Sequence, residues 1–120
     1  MVAVIGNLDG VAQMTDDPVD VGGLRLEPST HRVFGAKKPL DLGPTEFRLL
    51  EFLMQSPGRV FSRAQLLDGV WGRNVYVDER TVDVHIGRLR KALMRGQEPD
   101  PVRTVRGAGY AFSDKLEEIV

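Results

Sequence analysis

Cationic side chains carry most of the chemistry in this 120-residue chain. The stretch RTVDVHIGRLRKAL, Arg80 to Leu93, holds Arg80, Arg88, Arg90 and Lys91, with Arg95 two positions beyond. Groups of this kind break no bonds by themselves. They neutralise phosphate, and an arginine can also donate two hydrogen bonds to the O6 and N7 edge of a guanine. With Val82 at zero on a helical wheel, Ile86, Leu89 and Leu93 fall within about 40° of it and form a core stripe. Arg80, Thr81, Val84, Gly87, Arg88, Lys91 and Arg95 occupy the arc between about 140° and 260°, which contains no acid. On such a face Thr81, Val84 and Arg88 would meet base edges in a major groove, while Arg80, Lys91 and Arg95 would reach phosphates. Lys and Arg are also ordinary occupants of a solvated helix face, so the helix alone leaves the two readings even. Two details favour an interface: the single sign of the charge, and Gly87, which costs about 1 kcal/mol against alanine inside a helix.

Other chemistries find little support. There is no cysteine, which excludes disulfides, thiol nucleophiles and cysteine-ligated metals and agrees with a reducing cytoplasm. His31 and His85 are not spaced as a metal pair, and each reads as a polar or half-buried structural residue. GAKK is too short for a phosphate loop. We find no catalytic constellation, no cofactor site and no metal site, so an enzyme is not expected.

Net charge is -1, which on its own argues against a nucleic-acid binder. Its distribution argues the other way. Residues 1–58 hold 5 basic and 8 acidic side chains, residues 59–112 hold 10 and 6, and residues 113–120 hold 1 and 3. A local positive patch is what steers a polyanion. The apolar opening MVAVIGNLDGVAQM lacks a positive n-region and is interrupted by Asn7 and Asp9, so neither export nor a membrane anchor is expected.

The elements that must position the basic arc follow from turn and periodicity signals. Gly22-Gly23, Pro28-Ser29 and Gly35-Ala36-Lys37 punctuate short apolar runs, predicting a four-stranded antiparallel meander. A helix then opens at Pro44 and stops at Ser56-Pro57-Gly58, with Phe47, Leu49, Leu50, Phe52, Leu53 and Met54 on its core face. After a short strand at VF, Ser62 and Gln65 make a capping box for a second helix that directs Leu66, Leu67, Val70 and Trp71 inward and ends at Gly72. Asp78 is the expected N-cap of the third helix, which runs to about Arg95 and is stopped by Gly96, Pro99 and Pro101. A hairpin of Val102–Val105 and Tyr110–Phe112 closes across RGAG and puts Arg106 at its tip, within reach of a neighbouring minor groove. The second and third helices form a helix-turn-helix with a longer loop than usual. Residues 1–17 read as a flexible tail or linker remnant, 18–114 as one α+β domain, and 115–120 as a C-terminal tail.

In this order and spacing, GPTEFRLLEFL, SRAQLLDGVWG, ERTVDVHIGRLRKAL and TVRGAGYAF closely resemble the winged-helix effector domain of OmpR/PhoB-type response regulators. The resemblance covers about residues 19 to 113. It implies a winged helix-turn-helix with an N-terminal four-stranded antiparallel sheet, three helices and a C-terminal hairpin wing. It also implies head-to-tail binding of a dimer to direct-repeat double-stranded DNA, activation of transcription, and control of phosphate-starvation genes. Carried over residue by residue, Arg80, Thr81, Val84, Arg88 and Arg90 belong to the recognition helix and Arg106 to the wing. Arg90 lies beside the core stripe, where a phosphate contact or a structural role is expected. Gly87 stands where the family's best-known pattern has a second arginine. WGRNVYVDE resembles the transactivation loop that touches the sigma subunit of RNA polymerase, with Trp71, Gly72, Val77 and Glu79 at matching positions; for Trp71, a tryptophan ending a helix, core packing is the stronger expectation. Family members also carry an upstream receiver domain served by a sensor kinase, so the chain reads as cut from a longer regulator. The alternative from a different class is a protein-interaction module whose basic face is incidental.

Overall fold

The computed structural model describes residues 17–36, 38–72, 77–98 and 100–113. Residues 1–16 of the expected 1–17 tail, the expected 115–120 tail with residue 114, and the loop residues 73–76 lie outside them. Strands β1 (Val19–Val21), β2 (Leu24–Glu27), β3 (Arg32–Phe34) and β4 (Pro39–Leu40) form an antiparallel meander in sequence order. Val21 pairs with Leu24 across Gly22 and Gly23, whose φ values of 62° and 82° are those a two-residue primed turn demands. β2 alternates as a half-buried strand should, with Leu24 and Leu26 turned into the core and Arg25 turned out.

Helix α1 (Pro44–Met54) begins with proline at its first position and buries Phe47, Leu49, Leu50, Leu53 and Met54. Phe52, expected fully inside, is half-buried. Helix α2 (Arg63–Leu66) opens on the capping box: Ser62 Oγ accepts from Gln65 N at 3.1 Å and Gln65 Oε1 accepts from Ser62 N at 2.8 Å. It does not continue as an α-helix. Leu67–Trp71 forms a π turn closed by Gly72 N donating to Leu67 O at 3.0 Å. This wider turn moves side chains off the α-helical wheel, so only Leu66 and Val70 are fully buried, while Leu67 and Trp71 pack partly exposed against the core.

Helix α3 (Arg80–Arg95) buries Val82, Ile86, Leu89 and Leu93 as the wheel requires, with Ala92 beside them. The residue before the helix is Glu79, which makes no side-chain cap bond, and Asp78 one position earlier does the capping: its Oδ1 accepts from Arg80 N at 3.0 Å and its carbonyl from Thr81 N at 2.9 Å. At the other end Gln97, rather than a glycine, takes the left-handed conformation at φ 62°. Glu98 N donates to Leu93 O and Gln97 N to Met94 O, which is a Schellman closure. Strands β5 (Val102–Val105) and β6 (Gly109–Phe112) form the hairpin. The short strand expected before Ser62 is a single bridge, Phe61 to Tyr110, with N–H···O bonds of 2.8 and 2.9 Å in the two directions. Gly109 makes that approach possible, because a Cβ there would collide with the Phe61 carbonyl. One core joins the meander, the helices and the hairpin.

Candidate nucleic-acid interface

The arc read from the wheel is the solvent face of α3. Arg80, Val84, Arg88, Lys91 and Arg95 are exposed, and Thr81 and Gly87 are half-exposed. Val84 stands 50% in water at the middle of this cationic face. A Cβ added at Gly87 would meet nothing within 4 Å, so no internal packing requires glycine there. Among the described residues Arg88, Lys91, Arg95 and Arg106 have no side-chain hydrogen bond or ion pair, and the nearest acid to Arg80 is Asp78 at 3.9 Å, itself exposed. Four cations are therefore left without internal compensation, which is what a surface built to take up phosphate needs.

Arg90 points elsewhere. Its Nη2 donates to Val102 O at 2.9 Å and to Thr104 Oγ1 at 2.8 Å, and its guanidinium lies 5.9 Å from the Tyr110 ring centroid. Its Nε sits 3.0 Å from Asp100 Oδ2 as an ion pair without hydrogen-bond alignment. Of the two expected roles, this geometry provides the structural one: Arg90 fastens α3 to β5. Arg106 is exposed at the hairpin tip, where Gly107 supplies the turn at φ 78°.

A hub that sequence reasoning missed holds the interface in shape. Asp83 Oδ1 accepts from Arg63 Nε of α2 at 2.8 Å and from the Tyr110 hydroxyl of β6 at 2.6 Å. The Arg63 bond, then the Tyr110 bond, holds the Asp83 carboxyl below the usual range; the same carboxylate raises Arg63, and burial, reinforced by Asp83, raises the Tyr110 phenol. Asp83 follows Val82 of the core stripe, outside the basic arc. Its available signal was an acid beside the basic arc with no cation at the i+4 spacing.

The residues matching the transactivation loop split. Gly72, Val77 and Glu79 are exposed, whereas Trp71 is half-buried, its ring 5.4 Å from that of His85 and tilted by 58°. His85 is not free: its Nδ1 lies 2.6 Å from Glu46 Oε2, with both side chains largely buried. His31, at φ 57°, stacks on Phe47 with centroids 4.6 Å apart. Among the described residues no cluster of three or more His, Cys, Asp or Glu side chains can hold a metal, and no helix is long and apolar enough to cross a membrane.

Residues 37–112 match the family described as "Transcriptional regulatory protein, C terminal". The chain is 69% identical over 91 residues to the phosphate regulon transcriptional regulatory protein PhoB of Rhizobium meliloti (strain 1021), covering 76% of this chain and 40% of that protein. It is 56% identical over 101 residues to the Escherichia coli (strain K12) protein of the same name, covering 84% and 44%. The chain thus spans less than half the length of these relatives. Its fold is similar to the Klebsiella pneumoniae RstA DNA-binding domain in complex with the RstA box, with TM-score 0.72, 31% identity, and 82% and 99% of the two chains covered. It is also similar to the DNA-binding domain of response regulator AdeR in complex with an intercistronic region, with TM-score 0.70, 32% identity, and 78% and 97% covered.

Proposed function

The chain belongs to the family of C-terminal domains of transcriptional regulatory proteins, of the OmpR/PhoB type, and on that premise we propose that it binds double-stranded DNA sequence-specifically as the output domain of a two-component response regulator. The family is one of DNA-binding transcription regulators, not enzymes. The observation that carries the reading is the uncompensated basic arc of α3, with Arg106 displayed on the wing that Asp83 and Arg90 tie to that helix. In this reading α3 lies in the major groove. Arg88 and Val84 face base edges, Thr81 lies beside them, and Arg80, Lys91 and Arg95 neutralise phosphates. The Gly87 backbone comes close to the groove floor, and Arg106 enters the adjacent minor groove.

The finer reading is that two copies bind direct repeats head to tail and activate transcription of phosphate-starvation genes. Gly72, Val77 and Glu79, with Trp71 beneath them, meet the sigma subunit of RNA polymerase. An upstream receiver domain, addressed by a sensor kinase, controls the output. The names of the PhoB relatives support the phosphate assignment.

Selecting bound sequences from a random duplex pool tests the reading, since it reports specificity, half-site spacing and repeat orientation together. The expected result is enrichment of tandem, same-orientation half-sites. A pool that emerges without enrichment, at physiological salt, would instead favour the protein-interaction module.

A further inference from the structure

We propose that Arg48 and Glu46 of α1 are positioning residues that aim Trp71 and the exit of the chain at Gly72, an inference that rests on reading Trp71, Gly72, Val77 and Glu79 as the polymerase contact. The Arg48 guanidinium Nη2 donates to the carbonyl of Val70, the peptide group immediately before Trp71. Val70 lies in the last turn before the helix ends at Trp71, where carbonyls have no intrahelical N–H partner. Arg48 supplies the missing donor from a neighbouring helix. Gly69 permits the close approach, because a Cβ there would run into the Phe52 ring of α1. At the indole itself, Glu46 holds His85 through Nδ1 at 2.6 Å, and the His85 ring packs 5.4 Å from Trp71. The chain then leaves at Gly72 with φ 100°, a conformation open to glycine and strained for other residues.

Neither α1 residue belongs to the basic arc of α3. They act on the loop through two separate handles: Arg48 on the backbone before Trp71, and Glu46 on the imidazole that walls its ring. His85 sits on α3 itself, next to the exposed Val84, so Glu46 also ties the wall of the Trp71 site to that helix. Removing these handles therefore affects activation and spares DNA affinity.

Trp71 is the single tryptophan, so its fluorescence reports on this spot alone. Arg48→Met, at an exposed position, and Glu46→Gln are compared with the parent chain in three measurements: Trp71 emission and acrylamide quenching, affinity for the selected duplex, and transcript yield with RNA polymerase holoenzyme on a promoter saturated with protein. We expect a red-shifted, more quenchable Trp71, unchanged duplex affinity, and a transcript yield lower by about fivefold or more, at the low end of ordinary coupling energies. Arg48→Lys, which keeps a donor for Val70 O, restores both signals. Unchanged emission in both variants overturns the proposal, as does a loss of transcript that merely follows a loss of DNA affinity. Emission that moves while transcript yield stays constant breaks the link to activation. Alanine at Val77 and Glu79 then identifies the cause: if it too leaves yield intact, the loop reading itself has failed.

Discussion

Tyr110 and Arg63 donate to the same oxygen of Asp83, Oδ1, at 2.6 and 2.8 Å. One carboxylate on α3 thereby joins α2 on one side and the wing on the other. Each bond is short, directional and charge-assisted, so the carboxylate constrains the angle between α3 and the hairpin.

Asp83→Asn should destabilise the domain by about 1 kcal/mol at neutral pH, below the range for bonds to charged groups, because the side chain is 38% exposed and its Arg63 partner 50%. The sign of the pH dependence follows from the shifts. Asp83 is held below its ordinary value, so its contribution is complete above the unfolded carboxylate pKa near 3.8 and is lost as pH falls through the lower folded value. Tyr110 is raised, so its contribution is complete below 10.0 and is lost as pH rises through the higher folded value. Urea melts of both proteins across pH should converge at the acid end. A constant gap down to the most acidic pH would rule out the ionised carboxylate as the source.

Arg90→Met should cost about 1–2 kcal/mol, since Val102 O and Thr104 Oγ1 lose a charged donor. It should leave the salt dependence of DNA binding as it was. A protein that gives up one phosphate contact flattens the plot of log affinity against log salt by about 0.9. Salt titrations that showed this for Arg90→Met would return Arg90 to the phosphate-contacting group.

The meander, α1, the capping box and the α3 stripe were legible in the sequence because each is a local pattern: turn glycines at fixed offsets, a proline at a helix start, apolar residues every 3.6 positions. The basic arc was legible for the same reason. What escaped depended on contacts distant in sequence. Arg63 and Asp83 lie 20 residues apart, Asp83 and Tyr110 27, and the missing i+4 cation at Asp83 does not say which distant residues are its partners. The π turn was also hidden, since SRAQLLDGVW carries an ordinary amphipathic spacing. Two contacts with α1 accompany the departure, Arg48 on the Val70 carbonyl and Phe52 against Gly69, and neither is marked in the local pattern. Arg90 lay at the edge of the stripe, where periodicity cannot decide between core-side and DNA-side roles.

Gly87 allows two readouts to be separated. Gly87→Ala adds a Cβ into open space in the middle of a helix and should stabilise the domain by about 0.8–1 kcal/mol. Its effect on DNA should have the opposite sign, because in the proposed docking the methyl group stands where the backbone approaches the groove. Gly87→Arg should shift the selected sequence, since a long donor now reaches bases or phosphates that the glycine leaves alone. If thermal melts show the stabilisation but Gly87→Arg changes neither affinity nor site preference, Gly87 does not face DNA and the orientation of α3 assigned above is wrong.

Arg88 and Lys91 share the exposed face and differ in what their head groups can do. The planar guanidinium of Arg88 matches the two acceptors of guanine, whereas the Lys91 ammonium is a point charge suited to phosphate. Arg88→Ala should therefore weaken the selected duplex by about 1–3 kcal/mol and relax preference at one base pair, with little effect on scrambled DNA. Lys91→Ala should weaken both duplexes alike and flatten the salt slope by about one phosphate's worth. Titrating both variants against selected and scrambled duplexes at several salt concentrations separates the roles. Equal losses on the two duplexes for Arg88→Ala would place its guanidinium on the backbone and leave base reading to Thr81, Val84 and the Gly87 approach.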